Sequence, residues 1–298
     1  MDRVARAFYE LKFRDAFHRK TGNAFQDFFA DVMEKAHPGD FRRVRPWGNV
    51  GDKKNDGYLK STRTLFQVYA PNEMSAATAI AKIDEDFNGA IPHWKEHFDS
   101  WIFVHNSVNG LGPDVTKKLL ELDAAHEVSV GHWGEEELRQ KAFELSDANL
   151  ASLLGPAPTI RDMLDLGLEA LAPVLDQVSA MPAPENPDLR PPPADKISRN
   201  MLSQHVETLL KAGMTRADLV CKYFSVQPAS QDDIAQSFRR HYEELRDGGM
   251  SPDNIFSELQ QYAGGGAVPS PARQSAVLAV LAFFFEECDI YERDGGAS

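Results

Sequence analysis

Apolar residues Phe25, Phe28, Phe29, Val32, Met33 and Ala36 recur at helical spacing and predict a helix with one apolar face. Thr64 to Ala70 then alternates as a strand. Ser75 to Phe87 predicts a helix with Ser75 as its cap, and Trp101 to His105 a buried strand. Asp114 to Leu122 is a helix opened by Pro113, Glu127 to Gly131 a strand, and Gly134 to Phe143 a helix with acidic residues in its first turn. Helices and strands in this order predict an α/β (α+β) domain around a mixed sheet over residues 1–155.

Beyond it the pattern changes. Ile160, Met163, Leu164, Leu166, Leu168, Leu171 and Val174 suggest a helix packed on a neighbour. Met181 to Pro193 has six prolines in thirteen residues, a composition that favours extended backbone and marks a linker. Residues 156–195 are therefore expected to be helix and linker, and 196–298 an all-α domain. In the latter, Ile234, Phe238, Tyr242 and Leu245 form an apolar series that closes at Gly248-Gly249. Ser251-Pro252 and Ser270-Pro271 open two further helices, the second carrying the apolar run Ala276 to Phe285. Phe283 to Phe285 is most simply core, a partner interface being the other choice.

The chain of 298 residues is 42 % hydrophobic, enough for a packed core, and no apolar run reaches the ~20 residues that span a bilayer. Two cysteines without a C-x-x-C pairing argue against a disulfide framework, and no apolar leader follows Met1; a cytoplasmic protein is expected. The net charge of −13 speaks against nucleic-acid binding, but residues 1–70 carry a net +5 and the rest −18. The basic side includes Arg42, Arg43, Arg45, Lys53 and Lys54, a candidate phosphate-contacting patch or a solvated turn.

Candidate chemistry lies between these two features. Asp56 sits where a turn rich in Gly, Asp and Asn enters a strand, with Asp52 four residues earlier. On the strand that follows, Gln67 and Tyr69 share a face. Gln26 falls at the edge of the apolar face of the first predicted helix, whereas Asp27 and Glu34 fall opposite. A carboxylate with carboxamide oxygens is a donor set for a hard cation. The plainer alternatives are an Asx turn at Asp52 and Asp56, a buried aromatic at Tyr69, and a Gln67 that satisfies backbone groups at a sheet end. His93-Trp94-Lys95-Glu96-His97 matches a zinc-peptidase string, but too few helical residues surround it and no third ligand is evident, so zinc is not expected. The acidic triplets Asp84-Glu85-Asp86 and Glu135-Glu136-Glu137 read as solvated faces.

Residues 24–71, with Ala-Phe-Gln-Asp-Phe-Phe, Gly-Asp-Lys-Lys-Asn-Asp-Gly-Tyr-Leu and Phe-Gln-Val-Tyr-Ala-Pro, resemble the PD-(D/E)XK restriction-endonuclease-like domains of bacterial defence proteins. The resemblance extends over roughly residues 8–155. It implies that fold, Mg²⁺ held by Asp56 and Gln67, action on DNA, and Gln26, Asp56, Gln67 and Tyr69 at the four site positions. Gln26 replaces the usual glutamate and Tyr69 the usual lysine, so the implied nuclease is degenerate. Residues 232–248, 252–256 and 283–292 resemble the helical C-terminal domains of ABC three-component defence systems. That resemblance implies a docking module for an SMC-like ABC ATPase and a small middle component. The expected function is a defence effector acting on DNA; the alternative is a non-catalytic adaptor that binds nucleic acid or protein and docks the ATPase.

Overall fold

The structure is a computed structural model that describes residues 1–44, 54–179, 196–227, 229–265, 268–287 and 290–291. It divides into two compact units, Phe13–Leu153 and Met1–Lys12 with Leu154–Ser298. The expected linker Met181 to Pro193 lies outside the described residues, as do Arg45, Asp52 and Lys53.

The first unit is built on α1 (Arg3–Arg19, whose first turns group with the second unit), α2 (Gly22–Ala36), β1 (Phe41–Arg43), β2 (Gly57–Leu59), β3 (Thr64–Tyr69), α3 (Ala76–Trp94), β4 (Ser100–His105), α4 (Pro113–Ala125), β5 (Ser129–Trp133), α5 (Glu135–Phe143) and α6 (Asp147–Leu154). Among the described residues, five strands form one mixed sheet in the order β1-β2-β3-β4-β5. The pairs β1/β2 and β2/β3 are antiparallel; β3/β4 and β4/β5 are parallel and joined by helical crossovers.

Strand alternation sets the two layers. Phe66 turns toward α2, its ring 5.4 Å from Phe29 and 5.1 Å from Trp133. Leu65, Trp101 and Phe103 turn the other way and pack with Ala79, Ile83 and Phe87 of α3 and Val115 and Leu119 of α4. Ser75 caps α3 by accepting from Thr78 N at 3.2 Å. That helix runs to Trp94, well past the expected Phe87, and takes Pro92 into its last turn. His97 lies beyond the helix end, so His93 and His97 do not share a helical face, and both are exposed. The strand expected over Glu127 to Gly131 is shifted to Ser129–Trp133, which brings Trp133 under Phe66. Arg42 and Arg43 lie on strand β1 rather than in a turn.

In the second unit, α7 (Ile160–Leu164), α8 (Leu168–Ser179), α9 (Lys196–Arg199), α10 (Gln204–Met214), α11 (Ala217–Val226), α12 (Ala229–Asp247), α13 (Pro252–Gly264) and α14 (Pro271–Glu286) form a helical bundle. Helix α14 is its axis: every residue from Ser275 to Phe285 is buried, as expected of a helix apolar all round. It is enclosed by α7, α8, α10, α11 and α13. Gly213 lets α10 approach α14 closely, since a Cβ there would run into the carbonyl oxygen of Leu278. At the end of α14, the buried Lys196 Nζ donates to the carbonyls of Phe285 at 2.8 Å and Ile290 at 2.5 Å, placing its charge where the helix dipole favours a cation. Phe283 to Phe285 are core in this unit.

Candidate functional site

Strand β2 begins at Gly57, one residue after Asp56, and its regular pairing with β3 starts there. Asp56 N donates to Phe66 O at 2.9 Å, and the Asp56 side chain then takes the place of a strand: Val68 N donates to Asp56 Oδ2 at 2.7 Å. Asp56 O in turn accepts from Val44 N at 3.1 Å, so the residue joins the ends of β1, β2 and β3. Neighbouring Asn55 forms an Asx turn, its Oδ1 accepting from Gly57 N at 2.9 Å. On α2, Gln26 Nε2 donates to Asp56 Oδ1. The structure thus brings Gln26 and Asp56 into direct contact, with Asp56 only 4 % exposed.

Gln67 lies on the face of β3 that meets α3, between Leu65 and Tyr69, and is 5 % exposed. Its Oε1 is buried without a hydrogen-bond partner among the described residues. A buried acceptor of this kind costs ~1–3 kcal/mol unless water, an ion or a ligand satisfies it. Tyr69 is half-buried, its ring 6.0 Å from Phe103 and packed on the α3 and α4 core.

The basic residues divide. Arg43 reaches back to α2 and pairs with Asp27 and Glu34 at 3.2 Å each and with Asp31, so a phosphate there would compete with three carboxylates. Arg42, its neighbour on the other face of β1, is exposed opposite Tyr58. Lys54 pairs with Glu85 and, at 3.2 Å, with Asp86 on α3; the Glu85 carboxylate, more than any other group, holds its ammonium above the usual lysine range.

Two residues beside this site were not expected from the sequence. Asp86, placed with its neighbours on a solvated face, is 0 % exposed and receives Lys82 Nζ at 2.9 Å. The helical period carried the signal, because Ile83, Asp86, Phe87 and Ala90 fall on one stripe. The second triplet is also only partly solvated. Glu135 pairs with His18 at 3.2 Å, and Glu137 accepts from Gly134 N at 2.9 Å. The other unexpected residue is His105, at the end of β4 in register with Tyr69. It is 1 % exposed, and its Nδ1 accepts from Ser107 N at 3.2 Å. Burial pushes its imidazole down to about 4, the nearby His132 adding to the effect and Glu137 opposing it. Trp101, Phe103 and His105 share one strand face, so His105 is the polar end of an apolar row.

Among the described residues, no group of three or more His, Cys, Asp or Glu is placed to hold a metal ion, and no helix is long and apolar enough to cross a membrane. A cavity of about 270 Å³ lies in the helical unit between the start of α1, α7 and α10, lined by Val4, Met163, Leu164 and Ala212 with Arg3 and Lys211. It holds no convergent set of catalytic side chains.

The helical unit gives the decisive comparison. Residues 169–292 match the family model for C-terminal domain 10 of the ABC-three component (ABC-3C) systems. The chain therefore carries a domain associated with ABC-3C systems. No curated protein and no solved structure matches the chain. The ABC-3C match begins inside α8, and the structure explains why: α8 packs on α11, α12, α13 and α14 and is an integral part of the bundle. Tyr223 of α11 donates to Asp176 of α8 at 2.5 Å, and Arg273 of α14 donates to Gln177 Oε1 at 2.6 Å.

Proposed function

We propose that this chain is a component of an ABC-3C defence system: the helical unit docks to the other components, and the α/β unit acts on DNA through a degenerate metal-dependent nuclease site. The observation that carries the second half is the contact between Gln26 and Asp56, two residues that the resemblance to restriction-endonuclease-like domains pairs in one site. The order of α2, the Asp56 turn and β3 with Gln67 and Tyr69 on one face agrees with that resemblance. The oxygen donors are of the kind Mg²⁺ takes, and the unpartnered Oε1 of Gln67 suits a cation. Asp56 and Gln67 would hold the ion, with the Gln26 amide turned to present its oxygen. When bound, Mg²⁺ supplies charge neutralisation at a phosphodiester. Tyr69, in the usual position of a lysine, can donate a hydrogen bond from its hydroxyl to phosphate.

A second reading has its own support. Both oxygens of Asp56 already accept hydrogen bonds, which is what a purely structural clamp would show. In that case the α/β unit is a binding module, and the chain is an adaptor between nucleic acid or protein and an SMC-like ABC ATPase.

The docking half is tested by mixing the full-length chain with an SMC-like ABC ATPase and the small middle component of an ABC-3C system. Co-elution on size exclusion is expected. Failure of every pairwise and three-way mixture to co-elute would remove it.

A further inference from the structure

Two buried acceptors in the layer between the sheet and α3 have no donor. One is Gln67 Oε1 and the other is Asp86 Oδ2, both without partners among the described residues. Asp86 is fully buried, and its two lysines, Lys82 at 2.9 Å and Lys54 at 3.2 Å, both approach Oδ1. A buried carboxylate oxygen left without a donor is costly, and structures rarely leave one so.

The chain ties this carboxylate to the Asp56 segment. Lys54 stands two residues before Asp56, and its stem lies over α3 at Gly89, where a Cβ would come within 2.7 Å of Lys54 Cγ. Val68, the residue after Gln67 on β3, donates its N–H to Asp56 Oδ2 at 2.7 Å, which holds the Gln67 segment against Asp56. Its neighbours Leu65 and Tyr69 pack on the same cluster as Ile83 and Phe87, the residues that flank Asp86 on α3.

We propose that Asp86 is the second carboxylate of the Asp56 site, and that Asp56, Gln67 and Asp86 together take one divalent cation of the Mg²⁺ or Mn²⁺ class. The inference rests on the metal-site reading of Asp56 but not on cleavage. A cation satisfies both orphaned acceptors at once. Two carboxylates balance its charge where one carboxylate and carboxamides do not. Lys54 and Lys82 are then the charges that hold Asp86 while the site is empty, and they compete with the ion.

The test is Mn²⁺ binding to the full-length protein, followed by water-proton relaxation, with thermal unfolding recorded for each variant. Asp56→Asn and Asp86→Asn are each expected to weaken Mn²⁺ binding by about tenfold or more, and Lys82→Met to strengthen it several-fold by removing a competing ammonium. A purely structural Asp86 would leave Mn²⁺ affinity unmoved in Lys82→Met. If Asp56→Asn weakens binding while Asp86→Asn and Lys82→Met bind as wild type does, the inference falls and the Asp56 site stands. If wild type binds no Mn²⁺, or no variant alters its binding, both fall. Should Asp86→Asn fail to fold, Lys82→Met, which keeps the carboxylate, decides.

Discussion

Gln26 on α2 and Asp56 at the head of β2, 30 residues apart, are joined by a side-chain hydrogen bond, and Asp56 is joined in turn to Val68 of β3. Whatever chemistry the site performs, this link fastens the start of α2 to the sheet. Asp56→Ala strands the Val68 N–H and the Gln26 amide. It should lower unfolding free energy by about 2–4 kcal/mol, and Asp56→Asn, which keeps an acceptor, by about half as much. Urea denaturation measures both. A cost for Asp56→Ala within ~0.5 kcal/mol of zero would show that the clamp has no structural weight.

The basic residues should separate by role. Arg43 is already balanced by Asp27, Asp31 and Glu34, whereas Arg42 is exposed on the opposite face of β1. Arg42→Ala should weaken duplex DNA binding and reduce the salt slope by about one charge. Arg43→Ala should lower the melting temperature and leave the salt slope nearly unchanged. Fluorescence anisotropy over a salt series reads both variants, and equal slopes for the two would refute the division.

His105 predicts a pH dependence. Its folded-state value is pushed down to about 4 from an ordinary 6.5, so the unfolded chain binds the proton more readily than the folded one between those values. The stability that neutral His105 contributes is complete above pH 6.5 and is lost as pH falls toward 4, amounting to about 3 kcal/mol. His105→Phe should flatten this part of the profile. Parallel slopes for wild type and variant between pH 6.5 and 4 would contradict it.

The helical unit is predicted to be intolerant at one small residue. Gly213→Ala drives a methyl group into the Leu278 carbonyl of α14, and overpacking of this kind costs about 1–3 kcal/mol. A lowered thermal midpoint by circular dichroism is expected. A midpoint equal to wild type would mean that α10 can move off α14 freely.

Much of this was legible in the chain. Apolar periods located α2, α3, β3, β4 and α14, because each buries one stripe, one face or its whole circumference. Helix α1 was legible in principle, since Asp2 Oδ1 caps it by accepting from Val4 and Ala5 at 2.9 and 3.0 Å. Its apolar residues are interleaved with Arg and Lys, which hid the period. Strands β1 and β2 have three residues each, too few to show alternation. At the site, Gln26, Asp56 and Gln67 were named from position. Asp86 is hidden in a charge run, which usually faces solvent, and His105 falls in the expected buried strand with no pattern that marks it apart from its apolar neighbours. The triple commitment of Arg43 depends on a contact between β1 and α2 that no local pattern announces.

The measurement that tests the central claim most directly is cleavage of duplex and single-stranded DNA by the full-length protein in Mg²⁺ or Mn²⁺. Wild type is compared with Asp56→Asn and Tyr69→Phe, with each variant shown to be folded by its melting curve. The account predicts weak, metal-dependent cleavage by wild type that disappears in Asp56→Asn and is reduced only modestly in Tyr69→Phe. Cleavage unchanged in Asp56→Asn would place the chemistry elsewhere. Absence of cleavage by wild type, even with the ABC ATPase partner present, would contradict the nuclease reading and leave the adaptor.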